Sequence, residues 1–150
     1  MQTLFRQQQL NVSPDRLWDF VATPANLNLL TPPELQFEFR SELPASMSDG
    51  LLLLYRIRIP YFGHQRWLTE IKHIRPGRSF VDEQRLGPYR FWYHYHEIIP
   101  QPDGGSRMLD RVHYQLPFGP LGGLVDHLLV RGMLERIFDY RAEQLRRLFP

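Results

Sequence analysis

Hydrophobic and polar residues alternate with a period of two through most of this chain. Leu35, Phe37 and Phe39, for example, are separated by single polar residues, the pattern of a strand with one buried face. Turn sequences rich in Pro and Gly recur at spacings of about ten residues, which delimits short strands. The predicted strands are Thr3 to Val12, a segment beginning at Leu35, Leu51 to Ile59, His64 to Ile74, Arg78 to Leu86, Tyr89 to Ile99 and Ser106 to Leu116.

Two short helices are predicted between the first and second strands. Ser13 followed by Pro14 combines a side chain that can cap a helix with a ring suited to its first position. Thr23 and Pro24 repeat this start sequence, which predicts a second short helix over Ala25 to Leu30.

The end of the chain predicts one long helix, from Pro120 to Phe149. On a helical wheel the apolar residues as far as Leu128 lie on one side, whereas those from Val130 onward lie roughly opposite. The change falls near Arg131-Gly132 and predicts a bend or a change of packing partner. Two interpretations stay open: an irregularity in a packed helix, or first turns that form a mobile flap over a pocket mouth.

Together these elements predict an α+β fold, in which a strongly curved antiparallel sheet of about six to seven strands covers the long C-terminal helix. A chain of 150 residues, 43% of them hydrophobic, favours a single domain over residues 1 to 150. The chain contains no cysteine, which excludes disulfides, thiolate chemistry and cysteine-bearing zinc sites.

Charge argues against a nucleic-acid partner. The formal net charge is only +2, and the arginines are scattered among acidic residues instead of forming a basic patch. The exception, Arg141 to Arg147, is predicted to form the solvated side of the last helix turns. Because the longest apolar run, Leu51 to Tyr55, is far too short to span a bilayer and the start lacks the apolar core of a signal peptide, we expect no transmembrane segment and a cytoplasmic protein.

Four segments carry a resemblance to a known superfamily: PDRLWDFVATPANLNLLTPP from Pro14, FVDEQRLGPYRFWYHYHEI from Phe80, DRVHYQLPFGPLG from Asp110 and IFDYRAEQL from Ile137. Their order and spacing resemble the START-like (SRPBCC) superfamily, and in particular bacterial ligand-binding proteins related to the polyketide cyclase/dehydrase group. The resemblance implies a helix-grip fold with a deep cavity between sheet and helix. It also implies apolar ligands such as lipids, sterols, polyketides or quinones, and no shared catalytic residue.

Polar and aromatic side chains alternate along three consecutive predicted strands, so that each strand presents several of them on one face. If the three faces coincide, they line a cavity with aromatic walls and a few polar groups able to orient a ligand. The candidate ligand-binding residues on these faces are Asp82, Gln84, Trp92, His94, His96, Asp110 and Tyr114. Trp67, Leu124 and Leu128 complete the predicted set. Ordinary core packing of the aromatic residues, and cross-strand hydrogen bonds without a ligand, remain alternatives.

Whether the faces coincide depends on the hairpin around Gly87-Pro88. A three-residue loop places Asp82 across from His94 and Gln84 across from Trp92. A two-residue turn shifts this pairing by one residue. We favour the first arrangement because it collects the aromatic and hydrogen-bonding residues on one side.

Three chemical interpretations of this cluster compete. In the first, His94 and His96 hold a metal ion together with an Asp or with His113, as in cupin-like barrels. However, His113 points away from Asp110 on an ideal strand. We therefore expect neither a metal nor a cofactor. His94 paired with an acidic residue could act as general acid and base in a cofactor-free cyclase or dehydratase. The interpretation we favour is non-covalent binding, which makes the protein a non-enzymatic carrier of a small hydrophobic molecule.

A protein-interaction module is a further alternative. An exposed apolar patch on Leu121 to Val130 would favour it. The sequence makes no prediction of the oligomeric state.

Overall fold

A single antiparallel sheet of seven strands forms most of the protein. The computed structural model describes all residues from Met1 to Pro150. The strands are β1 Gln2–Leu10, β2 Glu38–Phe39, β3 Leu52–Ile59, β4 Gly63–Arg75, β5 Ser79–Leu86, β6 Phe91–Pro100 and β7 Ser106–Gln115. They lie side by side in the order β1-β7-β6-β5-β4-β3-β2, which confirms the predicted α+β helix-grip arrangement.

Helix α1, Pro14–Val21, begins where the cap sequence predicts. The hydroxyl oxygen of Ser13 accepts a hydrogen bond from the backbone N–H of Arg16 at 3.4 Å, which satisfies one of the free donors of the first turn. The second predicted helix is present as a 3₁₀ helix over Pro24–Leu30. Both helices connect β1 to the far edge of the sheet.

The strand predicted to begin at Leu35 is much shorter than its alternation suggests. A 3₁₀ turn covers Pro33–Leu35, and Gln36 follows it with a φ of +47°. Only Glu38 and Phe39 pair with β3. The prolines before Leu35 favour a turn there, and this local preference outweighs the period-two pattern.

The sheet is bent by irregular pairing between β4 and β5. Their register shifts twice, between Leu68 and Thr69 and between Lys72 and Arg75. Each such bulge bends the strand and increases its twist, which curves the sheet around the terminal helix.

The hairpin between β5 and β6 has the register that the sequence analysis favours, since Asp82 pairs with His94. Gln84 does not continue the pairing with Trp92. Its side-chain amide instead donates to the carbonyl of Tyr89 at 2.7 Å and accepts from the N–H of Tyr89 at 3.1 Å. A β-carbon at Gly87 would clash with the side chain of Gln84, so a larger residue there would displace the amide that closes this turn.

The C-terminal helix is continuous but not uniform. It opens with a 3₁₀ turn at Gly119–Leu121, followed by α2, Gly122–Val125, a π-helical turn at Asp126–Val130, and α3, Arg131–Leu148. The wider π turn changes the rotation of the side chains on either side of it. It therefore accounts for the change of apolar face predicted near Arg131-Gly132. Mobility of the first turns stays a prediction.

Helix α3 packs its apolar stripe on the concave face of the sheet. Leu134 and Phe138 pack in one buried cluster with Val112 and Tyr114 of β7. Leu145 belongs to a second cluster with residues of α1 and the sheet. None of the helices is both long and apolar enough to cross a lipid bilayer.

Replacing Gly132 tests the continuity of the terminal helix. Gly132 lies inside the helical run that begins at Gly122, so Gly132→Pro should remove a backbone donor, clash with the preceding turn and destabilise the fold by about 3 kcal/mol. Urea denaturation followed by circular dichroism measures this change.

Gly132→Ala is the matched control. A β-carbon at Gly132 meets only the guanidinium of Arg136, at 3.6 Å, and alanine favours a helix by up to about 1 kcal/mol over glycine. Equal stability of the two variants would contradict an uninterrupted helix at this position.

Candidate functional site

A pocket of about 190 Å³ lies between the concave face of the sheet and α3. Strands β3 to β6, residues 20 to 31 and the first half of α3 enclose it, and 20 of its 29 lining residues are hydrophobic. Its wall is thus mainly apolar. The polar and charged side chains along it are Thr23, Asn26, Thr31, Thr69, Asp82, His94, His96 and Arg141.

Packed aromatic rings form the sheet side of the pocket. Trp67 stacks on Tyr55 with ring centroids 5.8 Å apart and meets Trp92 edge to face at 5.2 Å. Tyr89 lies 4.9 Å from Trp92. The indole N–H of Trp67 is buried and has no hydrogen-bond acceptor within the protein. This wall presents flat apolar surfaces and one free donor.

The polar end of the pocket is a closed ring of two carboxylates and two imidazoles. Asp82 Oδ2 lies 3.2 Å from Nδ1 of His94 and 2.5 Å from Nε2 of His96. On the other side, Asp110 Oδ1 lies 2.8 Å from Nε2 of His94 and 3.0 Å from Nδ1 of His96. Every ring nitrogen therefore lies near a carboxylate oxygen, but only the two Nε2 contacts have hydrogen-bond geometry, and Nδ1 of His96 has no hydrogen-bond partner. We call these four residues the His–Asp quartet.

Strand pairing explains how the quartet forms. His94 and His96 are two residues apart on β6, so their side chains point to the same face. Asp82 on β5 pairs with His94, and Asp110 on β7 pairs with His96. The two imidazoles consequently lie between carboxylates from the flanking strands, with their ring centroids 3.7 Å apart.

Helix α3 adds a positive charge to the quartet. A guanidinium nitrogen of Arg141 lies 3.9 Å from Asp110 Oδ1, and the Arg141 side chain is only 11% exposed. Asp82 has a further partner, since the indole N–H of Trp92 donates to its Oδ1 at 3.2 Å. These contacts tie three strands and one helix to a single polar cluster.

Electrostatics keep both carboxyl groups of the quartet ionised. Burial alone would raise the pKa of Asp82, but the adjacent charge of His94 and hydrogen bonds from both imidazoles lower that pKa well below its usual range. Burial likewise opposes ionisation of Asp110, and Arg141 together with the two imidazoles outweighs it, so the pKa of Asp110 is also lowered. The carboxylates in turn raise the pKa of His94 against the effect of its burial.

Five of the predicted ligand-binding residues line the pocket: Trp67, Asp82, Trp92, His94 and His96. The period-two pattern and the hairpin register bring them together. Their contact with a ligand stays a prediction.

Three other candidates have different surroundings. Asp110 contacts the imidazoles from the side away from the pocket lining, and Gln84 closes the β5–β6 turn. Tyr114 is fully buried, and its hydroxyl donates to Asp126 at 2.6 Å. Its pKa is raised, first by burial and then by the Asp126 carboxylate. We assign Tyr114 to the support of the π turn that contains Asp126.

Leu124 and Leu128 do not reach the pocket. They are 58% and 66% exposed, and Leu121 beside them is 64% exposed. The wheel analysis placed these leucines on one face correctly, but the π turn directs that face to solvent instead of the sheet. Val130, at the end of the turn, and Met133, beyond it, supply the buried face.

Arg141 is the main site residue that the sequence analysis missed. The assignment of Arg141 to Arg147 to the solvated side is wrong for Arg141, although Arg146 and Arg147 are exposed, at 62% and 68% of their side chains. Arg141 follows Leu134 and Phe138 at helical spacing, so it lies on the buried stripe of α3. The sequence signal that could have identified Arg141 is its position as a charged residue within this apolar stripe.

The fold of this chain is similar to that of solved START-like structures. A START superfamily protein from Mycobacterium smegmatis has a similar structure, with a TM-score of 0.70, 11% identity, and coverage of 97% of this chain and 98% of that one. Protein CV1439 from Chromobacterium violaceum matches with a TM-score of 0.72 and 15% identity, over 99% and 98% of the two chains. Protein TTHA0849 from Thermus thermophilus matches with a TM-score of 0.69 and 16% identity, over 97% and 95%.

Residues 8 to 149 match the family described as "Domain of unknown function (DUF8410)", and the chain belongs to that family. A search among curated proteins found no match. The structural likeness, at these identities, establishes the START-like fold and leaves the function to be argued from the site.

The hydroxyl of Tyr114 provides a test of the support it gives to the π turn. Tyr114→Phe should leave the buried carboxylate of Asp126 without its donor and lower the free energy of unfolding by about 1.5 to 3 kcal/mol. Guanidinium denaturation measures the loss. Tyr93→Phe, on the opposite face of β6 from His94, is the control and should change stability little; an equally small effect at Tyr114 would contradict this assignment.

Proposed function

We propose that the protein binds or carries a small hydrophobic molecule in the pocket between the sheet and α3. The observation that carries this proposal is the pocket itself, because it combines an apolar wall with one polar end. Sites for small molecules commonly have this composition, in which apolar surface provides affinity and a few polar groups fix orientation. A lipid, quinone, polyketide or sterol-like molecule would match it in chemistry.

The size of the pocket favours the smaller of these ligands. Its volume of about 190 Å³ lies below the roughly 300 Å³ at which drug-sized pockets begin. A cavity of about 150 Å³ accommodates benzene. A molecule of one or two rings therefore fits the pocket as it stands, whereas a sterol or a long acyl chain would require it to open.

Free donors at the pocket favour a ligand with hydrogen-bond acceptors. The indole N–H of Trp67 and the Nε–H of Arg141 are buried without an acceptor in the protein, and both residues line the pocket. A buried donor gains most from a partner when water is excluded. We therefore favour a quinone or a small aromatic polyketide-like molecule, whose carbonyl oxygens can accept from these groups.

The arrangement supports binding more than turnover. A general base needs a ring nitrogen within hydrogen-bond reach of a substrate proton. Both nitrogens of His94 already face carboxylates, at 3.2 and 2.8 Å. We accordingly place the cyclase or dehydratase alternative second, and the expected cytoplasmic location stays a prediction.

One observation favours the interaction-module alternative. Leu121, Leu124 and Leu128 are exposed apolar residues of the 3₁₀ turn, α2 and the π turn, and exposed apolar patches often mark contact surfaces. These leucines are separate from the pocket lining. Binding in the pocket and contact through these leucines are therefore independent properties.

A two-ring quinone is a suitable probe of the pocket. We expect 1,4-naphthoquinone to bind with a micromolar Kd, because burial of about 300 Å² of apolar surface yields roughly 7 kcal/mol before the cost of association. Isothermal titration calorimetry measures the affinity, and native mass spectrometry of freshly purified protein tests for a ligand carried from the cell.

Paired tryptophan substitutions locate the binding site. Ile137→Trp replaces an aliphatic side chain of the pocket wall with a larger indole ring. This substitution should weaken naphthoquinone binding at least tenfold. Leu124→Trp adds the same ring on an exposed surface outside the pocket and should leave the Kd unchanged. Equal affinities of the two variants, or a stronger effect of Leu124→Trp, would contradict binding in the pocket.

A further inference from the structure

The His–Asp quartet has more acceptor contacts than neutral histidines can satisfy. Four ring nitrogens face carboxylate oxygens, at distances from 2.5 to 3.2 Å. A neutral imidazole carries one N–H, so two neutral rings supply donors for only two of these contacts. At the other two contacts a nitrogen lone pair would face an anionic oxygen. Only the two Nε2 contacts, His94 with Asp110 and His96 with Asp82, have hydrogen-bond geometry, and Nδ1 of His96 is buried without a hydrogen-bond partner.

On the side of the quartet formed by Asp110, one contact is a hydrogen bond, that with Nε2 of His94. Oδ1 of Asp110 lies 2.8 Å from Nε2 of His94 and 3.0 Å from Nδ1 of His96, and Arg141 lies on the same side. A carboxylate that accepts an imidazole N–H is the usual outer partner of a metal-binding histidine, because it fixes the tautomer that leaves the other nitrogen free. For His94 this arrangement directs the Nδ1 lone pair toward Asp82, whereas a metal ion would replace the hydrogen bond that joins His96 Nε2 to Asp82.

The side formed by Asp82 has the composition of a metal site. Asp82 Oδ2, His94 Nδ1 and His96 Nε2 belong to residues whose donor atoms lie within 4.8 Å of one another. Ligands bonded at about 2.0 to 2.1 Å in a tetrahedral site are roughly 3.3 Å apart, and Asp82 Oδ2 lies 3.2 Å from His94 Nδ1. The 2.5 Å contact with His96 would lengthen by roughly 0.8 Å to reach that separation.

The site is shielded from water, since His94 and His96 are only 4% and 3% exposed. A divalent ion between these imidazoles and Asp82 would therefore be attracted strongly to the carboxylate.

We propose that Asp82, His94 and His96 bind one divalent transition-metal ion, with Asp110 as the positioning residue for the His94 imidazole. Two imidazoles and one carboxylate suit zinc or iron(II) and not the oxygen-seeking magnesium or calcium. All three ligands line the pocket and Asp110 does not, so the remaining coordination position faces the pocket. This inference does not depend on the identity of the hydrophobic ligand.

Zinc binding to the full chain tests the proposal. The protein is first treated with EDTA and dialysed. Calorimetry with zinc sulfate should then show one ion per chain with a Kd of about 1 µM or lower, and elemental analysis after gel filtration should confirm this ratio. Magnesium chloride should give no binding. Cobalt(II) should give visible absorption bands of a low-symmetry site with nitrogen ligands. Absence of a stoichiometric zinc ion in the wild-type protein would overturn the proposal without recourse to any variant.

Variants distinguish the quartet from adventitious zinc at the surface. His94→Gln and His96→Gln should each weaken zinc binding at least a hundredfold, and Asp82→Asn, which preserves the shape of the side chain, should do the same. Asp110→Asn should weaken it by about 10 to 100-fold while the ratio of one ion per chain is retained. Circular dichroism verifies that each variant is folded.

His113→Gln is the matched control. His113 lies on β7 and contacts the hydroxyl of Thr3 on the opposite face of the sheet from Asp110, so its loss should leave zinc affinity unchanged. Undiminished zinc affinity in the double variant His94→Gln/His96→Gln would overturn the proposal. Loss of naphthoquinone binding alone would not affect it.

Discussion

The charge balance of the His–Asp quartet is the constraint on which the arrangement of the site depends. Asp82 and Asp110 lie on different strands, and each would be costly to bury without partners. The two imidazoles of β6 lie between them and contact both, and Arg141 brings α3 to the same cluster. Removal of one member would leave the others buried without compensation. The quartet therefore links the register of three strands to the rotation of the terminal helix.

The pocket follows from the way the sheet and α3 meet around this cluster. Two bulges between β4 and β5 bend the sheet, while Leu134 and Phe138 of α3 share a buried cluster with Val112 and Tyr114 of β7. Strands β3 to β6 and α3 line the pocket. Large aromatic side chains such as Trp67 fill part of the remaining space without closing it. The polar quartet lies at the boundary between the packed and open parts.

Much of this site could be predicted from the sequence because strand periodicity is simple. The alternation in β5, β6 and β7 assigned Asp82, His94, His96 and Asp110 to common faces, and the choice of hairpin register, made to collect these residues on one side, is confirmed. Side chains two residues apart on a strand stay on one face regardless of distant contacts. The strand predicted from Leu35 failed for a local reason, since turn formation at Pro33 overrides alternation.

The terminal helix was harder to predict because its geometry changes within it. A helical wheel assumes regular α-helical geometry and therefore cannot anticipate a π turn. The additional residue of the π turn changes the rotation of the side chains, and Leu124 and Leu128 are exposed to solvent. Arg141 was misplaced for a different reason. Its neighbours Arg146 and Arg147 favour a solvated face, and only the buried Asp110 explains why one arginine of this group turns inward. That contact joins residues 31 positions apart in sequence and is not encoded in any local pattern.

The START-like fold sets the position of the pocket, but the quartet gives this chain its own chemistry. Structures that share the fold at identities of 11 to 16% provide no argument about side chains. Here the polar groups come from the interior of regular strands, where backbone pairing fixes their spacing, so little reorganisation is needed when a charge or a ligand oxygen approaches. The apolar wall around them lowers the local dielectric and strengthens each polar contact. A weakly polar ligand group would therefore be held most strongly at this end of the pocket, and the rest of the molecule would lie along the aromatic rings.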